Sequence, residues 1–223
     1  MGIRVPSAAP FARVPLVRRA LESFISLIAP DVCAACDART PILTVFCTAC
    51  ASTLVPARDA RDGEIAPYVY GGALAAAIGS LKYDQRVDRA RPLAHLLLRA
   101  IGPLRDDPPT HVIPVPLYRA RAALRGFNQS ALLAAPVARA LDATFAPAAL
   151  VRKRDTTAQA TLPRASRLRN VDDAFVARAS LAGARVLLVD DVRTTGATLE
   201  ACASALRGAG ARDVRSLVLA CAE

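Results

Sequence analysis

The sequence predicts an α/β protein with a parallel sheet and helices on both faces, preceded by a small cysteine-rich module. Two observations carry this prediction. In the later part of the 223-residue chain, short apolar segments alternate with helical patterns, which is typical of parallel strands joined by crossover helices. Near the N-terminus, the pattern Cys-x2-Cys occurs twice between residues 33 and 50, which is typical of a metal-binding module.

The composition is that of a folded, positively charged protein. Apolar residues make up 53% of the chain and charged residues 22%, which argues against wholesale disorder. The formal net charge of +10 favours partners or substrates that carry phosphate groups. Trp is absent and aromatic residues are 4% of the chain, which argues against binding single strands mainly by base stacking. No segment is long and apolar enough for a transmembrane helix, so no stable membrane insertion is expected.

Residues 1–29 predict an amphipathic helix, because apolar residues recur at helical spacing among basic ones. Arg18, Arg19 and Glu22 interrupt the apolar stretch that a secretory signal needs. The helix either docks on the body of the protein or contacts a membrane surface. Together with thiols that stay reduced, the interrupted signal predicts a cytoplasmic protein.

Residues 30–55 form the predicted cysteine module. Two Cys-x2-Cys pairs are separated by ten residues and supply four thiols, Cys33, Cys36, Cys47 and Cys50. Such pairs surround one Zn2+, and because four protein ligands leave no position for water, this zinc would be structural. The alternatives are two disulfides or four unrelated core thiols. Cys202 and Cys221 lie in apolar patterns and are interpreted as inert core residues.

After a polar linker at 55–63, a second domain is expected over residues 65–223. Its predicted elements are a strand at 68–70, helices at 74–81 and 87–101, a strand at 111–115, a basic loop at 117–128, a helix at 130–141, a strand from 150, a strand at 185–189, a helix at 198–207 and a strand at 214–219. Ser130 is the candidate N-cap of its helix. Pro136 predicts a kink in that helix or a later start.

The segment 185–198 is the most informative part of the chain. A buried strand leads into Asp190 and Asp191, and a turn with hydroxyl groups and one glycine then opens a helix. Ligands of a parallel sheet bind at the carboxyl ends of its strands, and the N–H groups at a helix N-terminus attract anions. The predicted phosphate-binding loop consists of Thr194, Thr195, Gly196, Ala197 and Thr198.

The paired acids discriminate between possible ligands. Two carboxylates beside a phosphate repel it unless they accept hydrogen bonds from sugar hydroxyls or share Mg2+ with it. A phosphate, a ribose and Mg2+ together describe 5-phosphoribosyl 1-pyrophosphate (PRPP). The chain has no Gly-Lys-[Ser/Thr] and therefore no P-loop. The alternative is a strand, turn and helix capped by threonine, with the acids serving solubility.

Val186–Thr198 resembles the PRPP-binding signature of type I phosphoribosyltransferases, and the chain after residue 30 resembles the ComF (competence protein F) family. The resemblance is carried by the four-cysteine module, Leu81-Lys82-Tyr83, Ile113-Pro114-Val115-Pro116-Leu117, Arg125-Gly126-Phe127-Asn128-Gln129, Gln159, Arg164, Asn170 and the phosphate loop. It implies a type I phosphoribosyltransferase-like fold behind a zinc finger, and a link to natural transformation and DNA uptake. Arg193 stands where an aliphatic residue is common, and it is expected to add positive charge near the phosphate.

The resemblance also implies roles for individual residues. Asp190 and Asp191 would bind the ribose hydroxyls and Mg2+, and residues 194–198 would hold the 5-phosphate. The candidates for binding pyrophosphate, or for a lid over the site, are Arg119, Arg121, Arg125, Gly126 and Arg164. Lys82 is a weaker candidate, for which a purely structural role is equally expected. No general base is identified.

Three functions agree with these features. The first is Mg2+-dependent transfer of phosphoribosyl from PRPP to an unknown acceptor. The second is a PRPP or nucleotide sensor without turnover. The third is an accessory protein that binds single-stranded DNA through its basic surface and zinc finger, with DNA-uptake proteins as further candidate partners. The sequence predicts neither the acceptor nor the oligomeric state.

Overall fold

The computed structural model describes residues 32–41, 44–58, 62–153 and 174–222. The helix predicted over 1–29 lies outside these residues, as do Gln159, Arg164 and Asn170. The helices are α1 (Thr48–Ala51), α2 (Gly72–Tyr83), α3 (Ala90–Ala100), α4 (Arg119–Arg125), α5 (Gln129–Ala140) and α6 (Ala197–Gly208), with short 3-10 turns at Val87–Arg89 and Gly102–Leu104. The strands are β1 (Glu64–Ile65), β2 (Tyr68–Val69), β3 (His111–Pro114), β4 (Thr144–Phe145), β5 (Leu150–Arg152), β6 (Phe175–Ala177), β7 (Arg185–Arg193) and β8 (Asp213–Cys221).

A parallel sheet forms the centre of the described chain. Its strand order is β1-β8-β7-β3-β4, and β2 pairs with β8 beyond the end of β1. β7 is central and pairs in parallel with both β3 and β8. A separate antiparallel pair consists of β5 and β6. Because the strands are parallel, their carboxyl ends lie at one edge of the sheet, where β7 leads into α6.

Helices cover both faces of the sheet, as the alternation of apolar segments predicted. Leu187 and Val189 of β7 pack into a cluster with α2, α3 and α5, whereas Val186 and Leu188 pack with α6 and the β5–β6 pair. All four side chains are buried, because successive residues of a strand point to opposite faces and both faces are covered. Cys202 and Cys221 are buried in the second cluster, which confirms their interpretation as core residues.

The cysteine module packs on the first of these clusters. Cys33, Ala34, Val45 and Phe46 are buried together with the side chains of α2 and α3. The module therefore shares apolar contacts with the sheet domain. The division of the chain at 30–55 and 65–223 stays a prediction.

Three local predictions were wrong. The basic loop expected at 117–128 contains α4, whose arginines and alanines are good helix formers, and Gly126 ends it in the left-handed region at φ 78°. The N-cap of α5 is Asn128, whose side chain accepts from the backbone N–H of Ser130, so the helix does not start late at Pro136. β7 continues beyond Val189 and includes both acids.

The expectation that Arg193 adds positive charge near a phosphate is corrected by its contacts. Its Nε lies 2.6 Å from Oε1 of Glu64, and the two side chains are 7% and 5% exposed. A buried guanidinium needs such a partner, since an unpaired charge away from water is costly. The pair joins the edge strand β1 to the end of β7, and its charges offset each other.

Removing one partner of this pair should destabilise the fold more than removing both. We expect Glu64→Ala to lower the free energy of unfolding by about 3 kcal/mol, because it leaves Arg193 buried and unpaired. The double variant Glu64→Ala/Arg193→Val should recover part of that loss, and urea denaturation measures both. A double variant less stable than Glu64→Ala would contradict the assignment.

Candidate functional site at the end of β7

A shallow open depression lies where β7 meets α6. It is lined by Asp190, Val192, Arg193, Thr194, Gly196, Thr198 and Leu199. We call it the β7–α6 depression. Four of the predicted site residues, Asp190, Thr194, Gly196 and Thr198, are therefore brought together, at the edge of the sheet where parallel-sheet ligands bind.

The turn into α6 is shaped by Gly196. This glycine is the N-cap of the helix at φ 86°, a conformation that residues with a side chain adopt only with strain. No side chain caps the helix strongly, since the Thr195 hydroxyl lies 3.4 Å from the Ala197 N–H. The first N–H groups of α6 therefore remain available for an anion, which the helix dipole also favours. The hydroxyls of Thr194 and Thr198 lie around the same turn.

Asp190 is the acid that lines the depression. Its Oδ1 accepts a hydrogen bond from the Ser130 hydroxyl at 2.6 Å and from the Asp191 backbone N–H at 2.9 Å. Burial raises the pKa of this carboxyl to about 7, and the charge of Asp191 adds to the rise. The Ser130 hydroxyl and the Lys82 ammonium offset only part of it. Asp190 can thus exchange a proton near neutral pH.

Asp191 points away from the depression, because it follows Asp190 on the same strand. It is 3% exposed, and its Oδ1 lies 2.7 Å from the ammonium nitrogen of Lys82. Its Oδ2 is buried and has no hydrogen-bond partner among the described residues. The two acids predicted to act together therefore face different neighbours, and Lys82 contacts the acid that does not line the depression.

The arginines of α4 do not line the depression. Arg125 donates through Nη1 to Oε1 of Gln129 at 2.5 Å, and its guanidinium stacks over the Tyr83 ring at 5.6 Å from the centroid. Arg119 is exposed and Arg121 is partly exposed. Gly126 ends the helix and turns the chain towards α5.

Sequence reasoning missed two contributors to the site. Ser130 was interpreted as a helix cap, yet its hydroxyl is turned to Asp190 because Asn128 performs the capping. Tyr83 was noted only within the Leu81-Lys82-Tyr83 string, and its exposed ring lies under Arg125. The available signal was position: Tyr83 lies within one of the strings already singled out, and Ser130 directly follows another.

The four cysteines of the module converge, with all their Sγ atoms within 4.8 Å of one another. Sulfur atoms about 2.3 Å from Zn2+ in a tetrahedron lie about 3.8 Å apart. The Sγ atoms of Cys36 and Cys47 are 3.7 Å apart, which fits that arrangement. All four thiols are free, so the alternative of two disulfides is not what the structure contains.

The thiols of the cluster influence each other's ionisation. Burial would raise the pKa of Cys33, but backbone N–H groups, led by that of Cys47, lower it to about 6. The pKa of Cys50 rises to about 12, chiefly through its contact with Cys36 and through burial. Thiolates this close repel one another unless a cation neutralises them, and Zn2+ has the charge and the preference for sulfur to do so.

Two arginines attach the cysteine module to the turn that follows α2. Arg89 is buried and donates to the Cys33 carbonyl at 3.1 Å and to the Asp37 carboxylate. Arg86 donates to the same carboxylate at 3.0 Å, and together the two arginines hold the pKa of Asp37 below its ordinary value. The segment that follows Lys82 and the end of α2 is thereby connected to the first Cys-x2-Cys pair.

Comparison with known proteins shows which family and which relatives this chain is similar to. Residues 128–222 match the family model described as a phosphoribosyl transferase domain. The chain is 36% identical to the DNA utilization protein YhgH of Escherichia coli over 150 residues, which are 66% of each protein. It is 35% identical to competence protein F of Haemophilus influenzae over 148 residues, 62% of this chain and 63% of that one. The chain thus spans just under two thirds of the length of these relatives.

Solved structures with a similar arrangement include two enzymes. A purine phosphoribosyltransferase from Pyrococcus horikoshii is 22% identical with a TM-score of 0.37, over 61% of this chain and 74% of that one. The glutamine PRPP amidotransferase from B. subtilis is 22% identical with a TM-score of 0.40, over 58% and 25%. At these values, neither structure bears on the substrate of this chain. Among the described residues, no helix is long and apolar enough to cross a membrane.

The raised pKa of Asp190 makes the stability of the fold depend on pH. Because the folded state binds this proton more tightly than the unfolded state, stability should fall as pH rises from about 4 to about 7. Asp190→Asn should remove this dependence and raise stability at pH 8 by on the order of 2 kcal/mol. Urea denaturation across pH measures the effect, with Asp106→Asn at an exposed position as control. An unchanged pH profile in Asp190→Asn would contradict the prediction.

Proposed function

We propose, from the premise that this chain belongs to the competence protein F family and contains a phosphoribosyl transferase domain, that it binds PRPP and transfers its phosphoribosyl group. The observation that carries the proposal is the β7–α6 depression. There, an ionisable acid faces the same space as an uncapped helix N-terminus with threonine hydroxyls. A sugar phosphate has complementary groups, since its hydroxyls donate to a carboxylate and its phosphate accepts N–H bonds.

The 5-phosphate binds in the turn of residues 194–198. The free N–H groups at the start of α6 and the hydroxyls of Thr194, Thr195 and Thr198 donate to its oxygens. Gly196 lets the backbone approach closely, because it has no side chain and already adopts the left-handed conformation. Ala197 supplies a backbone N–H, whose contact with the Thr195 hydroxyl is long at 3.4 Å, and a phosphate oxygen would replace it.

Asp190, which lines the depression, would bind the ribose hydroxyls and hold Mg2+ from that side. Asp191, the second acid predicted for this role, does not line the depression; its buried Oδ2 has no hydrogen-bond partner among the described residues, and it would reach the metal only if its pair with Lys82 rearranged. Mg2+ is typically held by one or two carboxylates plus substrate phosphates, and when bound it neutralises charge on those phosphates. Lys82 keeps the charge of Asp191 compensated.

In the transfer, a bond forms between an acceptor nucleophile and C1 of the ribose while the bond from C1 to pyrophosphate breaks. The pyrophosphate leaves with the electron pair, and positive groups near it lower the energy of that charge. Arg119, Arg121 and Arg125 on α4 are the described candidates for this role, and guanidinium groups match phosphate oxygens well. Gly126 would orient this helix. Arg164 remains a candidate for the lid outside the described residues.

The cysteine module binds one structural Zn2+ through Cys33, Cys36, Cys47 and Cys50. The converging Sγ atoms support this assignment, and with four sulfur ligands the metal has no position for water or substrate. Zinc therefore contributes to folding of the module and takes no part in the transfer. The cytoplasmic location predicted from the sequence agrees with a cluster of reduced thiols.

A second candidate is binding without turnover, either of PRPP as a signal or of single-stranded DNA. The ion pair between Asp191 and Lys82 favours binding without turnover. It occupies one of the two acids that were predicted to hold Mg2+ for the transfer. The net charge of +10 and the names of the relatives, which refer to DNA utilization and competence, favour DNA. Release of pyrophosphate from PRPP with a panel of acceptors separates an enzyme from a binding protein.

Binding of PRPP should depend on the hydroxyls of the phosphate turn. We expect Thr194→Val/Thr198→Val to weaken Mg2+-dependent PRPP binding about tenfold or more, because hydrogen bonds to a charged group are lost. Calorimetry measures the affinity. Thr144→Val, on an exposed edge strand at the opposite end of the sheet, is the control and should bind like the parent. Equal affinity of parent and double variant would refute this phosphate site.

Zinc should be present at one ion per chain and should stabilise the fold. We expect Cys36→Ser or a strong chelator to remove the metal and lower the thermal midpoint, because the module shares a core with α2 and α3. Elemental analysis and circular dichroism measure the two effects. Cys202→Ala, which changes a core thiol outside the module, should retain the metal. Full zinc content in Cys36→Ser would contradict a four-cysteine site.

A further inference from the structure

The cysteine module is attached to α2 at both ends of the helix. At the start of α2 the contact is made by Thr53, which lies shortly after Cys50 in the sequence. Beyond the end of α2 it is made by Arg89, in the 3-10 turn that follows the helix. Each of these two residues also binds the carbonyl of a cysteine, and the two cysteines belong to different Cys-x2-Cys pairs.

Thr53 links the second cysteine pair to the first turn of α2. Its hydroxyl donates to the Cys50 carbonyl at 2.8 Å and accepts from the backbone N–H of Ala73 at 2.9 Å. The N-cap residue Gly71 has no side chain, so Thr53 supplies a capping oxygen from outside the helix. One hydroxyl therefore holds a turn that carries a metal ligand and the start of a helix together.

The close approach of Thr53 to α2 depends on Gly72. A Cβ at this position would lie 2.6 Å from Oγ1 and 2.9 Å from the carbonyl oxygen of Thr53, which is too close for non-bonded atoms. Gly72 also has a φ of 50°, in the left-handed region that favours glycine. The helix thus contributes to this contact through a residue type that leaves room for the module.

Arg89 links the first cysteine pair to the turn after α2. Its side chain is buried, its Nη1 donates to the Cys33 carbonyl at 3.1 Å, and its Nη2 contacts the Asp37 carboxylate. A buried guanidinium needs fixed acceptors, and both of these acceptors belong to the module. Between the two attachments, Cys33 and Phe46 are buried together with apolar side chains of α2 and α3.

We propose that Thr53 and Arg89 are positioning residues of the zinc site, so that the module binds Zn2+ at full affinity only while it is packed on α2. The inference rests on the proposed zinc site and adds a requirement for residues other than the four cysteines. Groups that hold metal ligands in place raise the affinity, because ligands that are free to move must be ordered when the ion binds. Many zinc modules fold on their own around the metal, whereas this one takes part of its order from a helix of the sheet domain.

The first test changes the hydroxyl of Thr53. We measure the zinc affinity of the full chain by competition with a chromophoric chelator. Thr53→Val keeps the branched shape and removes the hydroxyl, and it should weaken zinc binding about tenfold or more. Thr53→Ser keeps the hydroxyl and should bind zinc like the parent. Co2+ in place of zinc gives a second readout, because its absorption bands report the geometry of the sulfur ligands, and these bands should change only in Thr53→Val.

The second test uses a glycine that lies outside the module. Gly72→Ala displaces Thr53 and should weaken zinc binding as Thr53→Val does, although residue 72 is remote from the cysteines in sequence. Gly183→Ala is the matched control, because Gly183 has a φ of 73° and a Cβ there would meet nothing within 4 Å. It introduces similar backbone strain between β6 and β7 and should leave zinc affinity unchanged. Circular dichroism checks that each variant is folded.

The third test separates the two arginines that hold Asp37. Arg89→Gln shortens the side chain so that it no longer reaches the Cys33 carbonyl, and it should weaken zinc binding about tenfold. Arg86→Gln removes a contact with the same carboxylate but none with a cysteine carbonyl, and it should retain the affinity of the parent.

The contrary results distinguish this inference from the zinc site itself. If the parent binds zinc and Thr53→Val and Gly72→Ala bind it equally tightly, the positioning role is overturned and the zinc site stands. If Gly183→Ala loses zinc as Gly72→Ala does, the effect comes from general stability and the inference is overturned as well. If the parent binds no zinc, the proposed zinc site fails together with the inference.

Discussion

The structure depends on how two neighbouring negative charges are accommodated at the end of a buried strand. Consecutive residues of β7 point to opposite faces, so Asp190 and Asp191 cannot share one environment. Asp191 is buried and is compensated by Lys82, whereas Asp190 lines the β7–α6 depression and is held by Ser130. Burial and the neighbouring charge of Asp191 raise the pKa of Asp190. The acid that lines the β7–α6 depression is therefore also the one that changes charge near neutral pH.

This arrangement links the proposed ligand site to the cysteine module. Lys82 and Tyr83 end α2, and the turn after them reaches Arg86 and Arg89, which both hold the Asp37 carboxylate. Arg89 also binds the Cys33 carbonyl, so its buried charge bridges the turn and the first cysteine pair. The cysteine module is thereby linked, through Arg86 and Arg89, to the end of the helix that carries Lys82, the lysine beside Asp191.

The sequence predicted the features that depend on local pattern. The central parallel sheet, the tight turn at Gly196 that opens α6 and the convergence of four cysteines follow from apolar periodicity, a glycine before a helix and paired spacing. Features that depend on long-range partners were missed. The charge of Arg193 could not be assigned without Glu64, which is remote in sequence, and Ser130 could not be assigned to Asp190 before Asn128 was known to cap α5.

The same partners change what the net charge of +10 means. Arg86, Arg89 and Arg193 each lie within ion-pair distance of a carboxylate, so part of the positive charge in the composition serves to hold the fold together. Arg125 instead contacts an amide oxygen and an aromatic ring, which leaves its charge uncompensated by those two contacts. The net charge therefore overstates the positive charge that the fold offers to an anionic ligand, and Arg125 is one position where such charge remains.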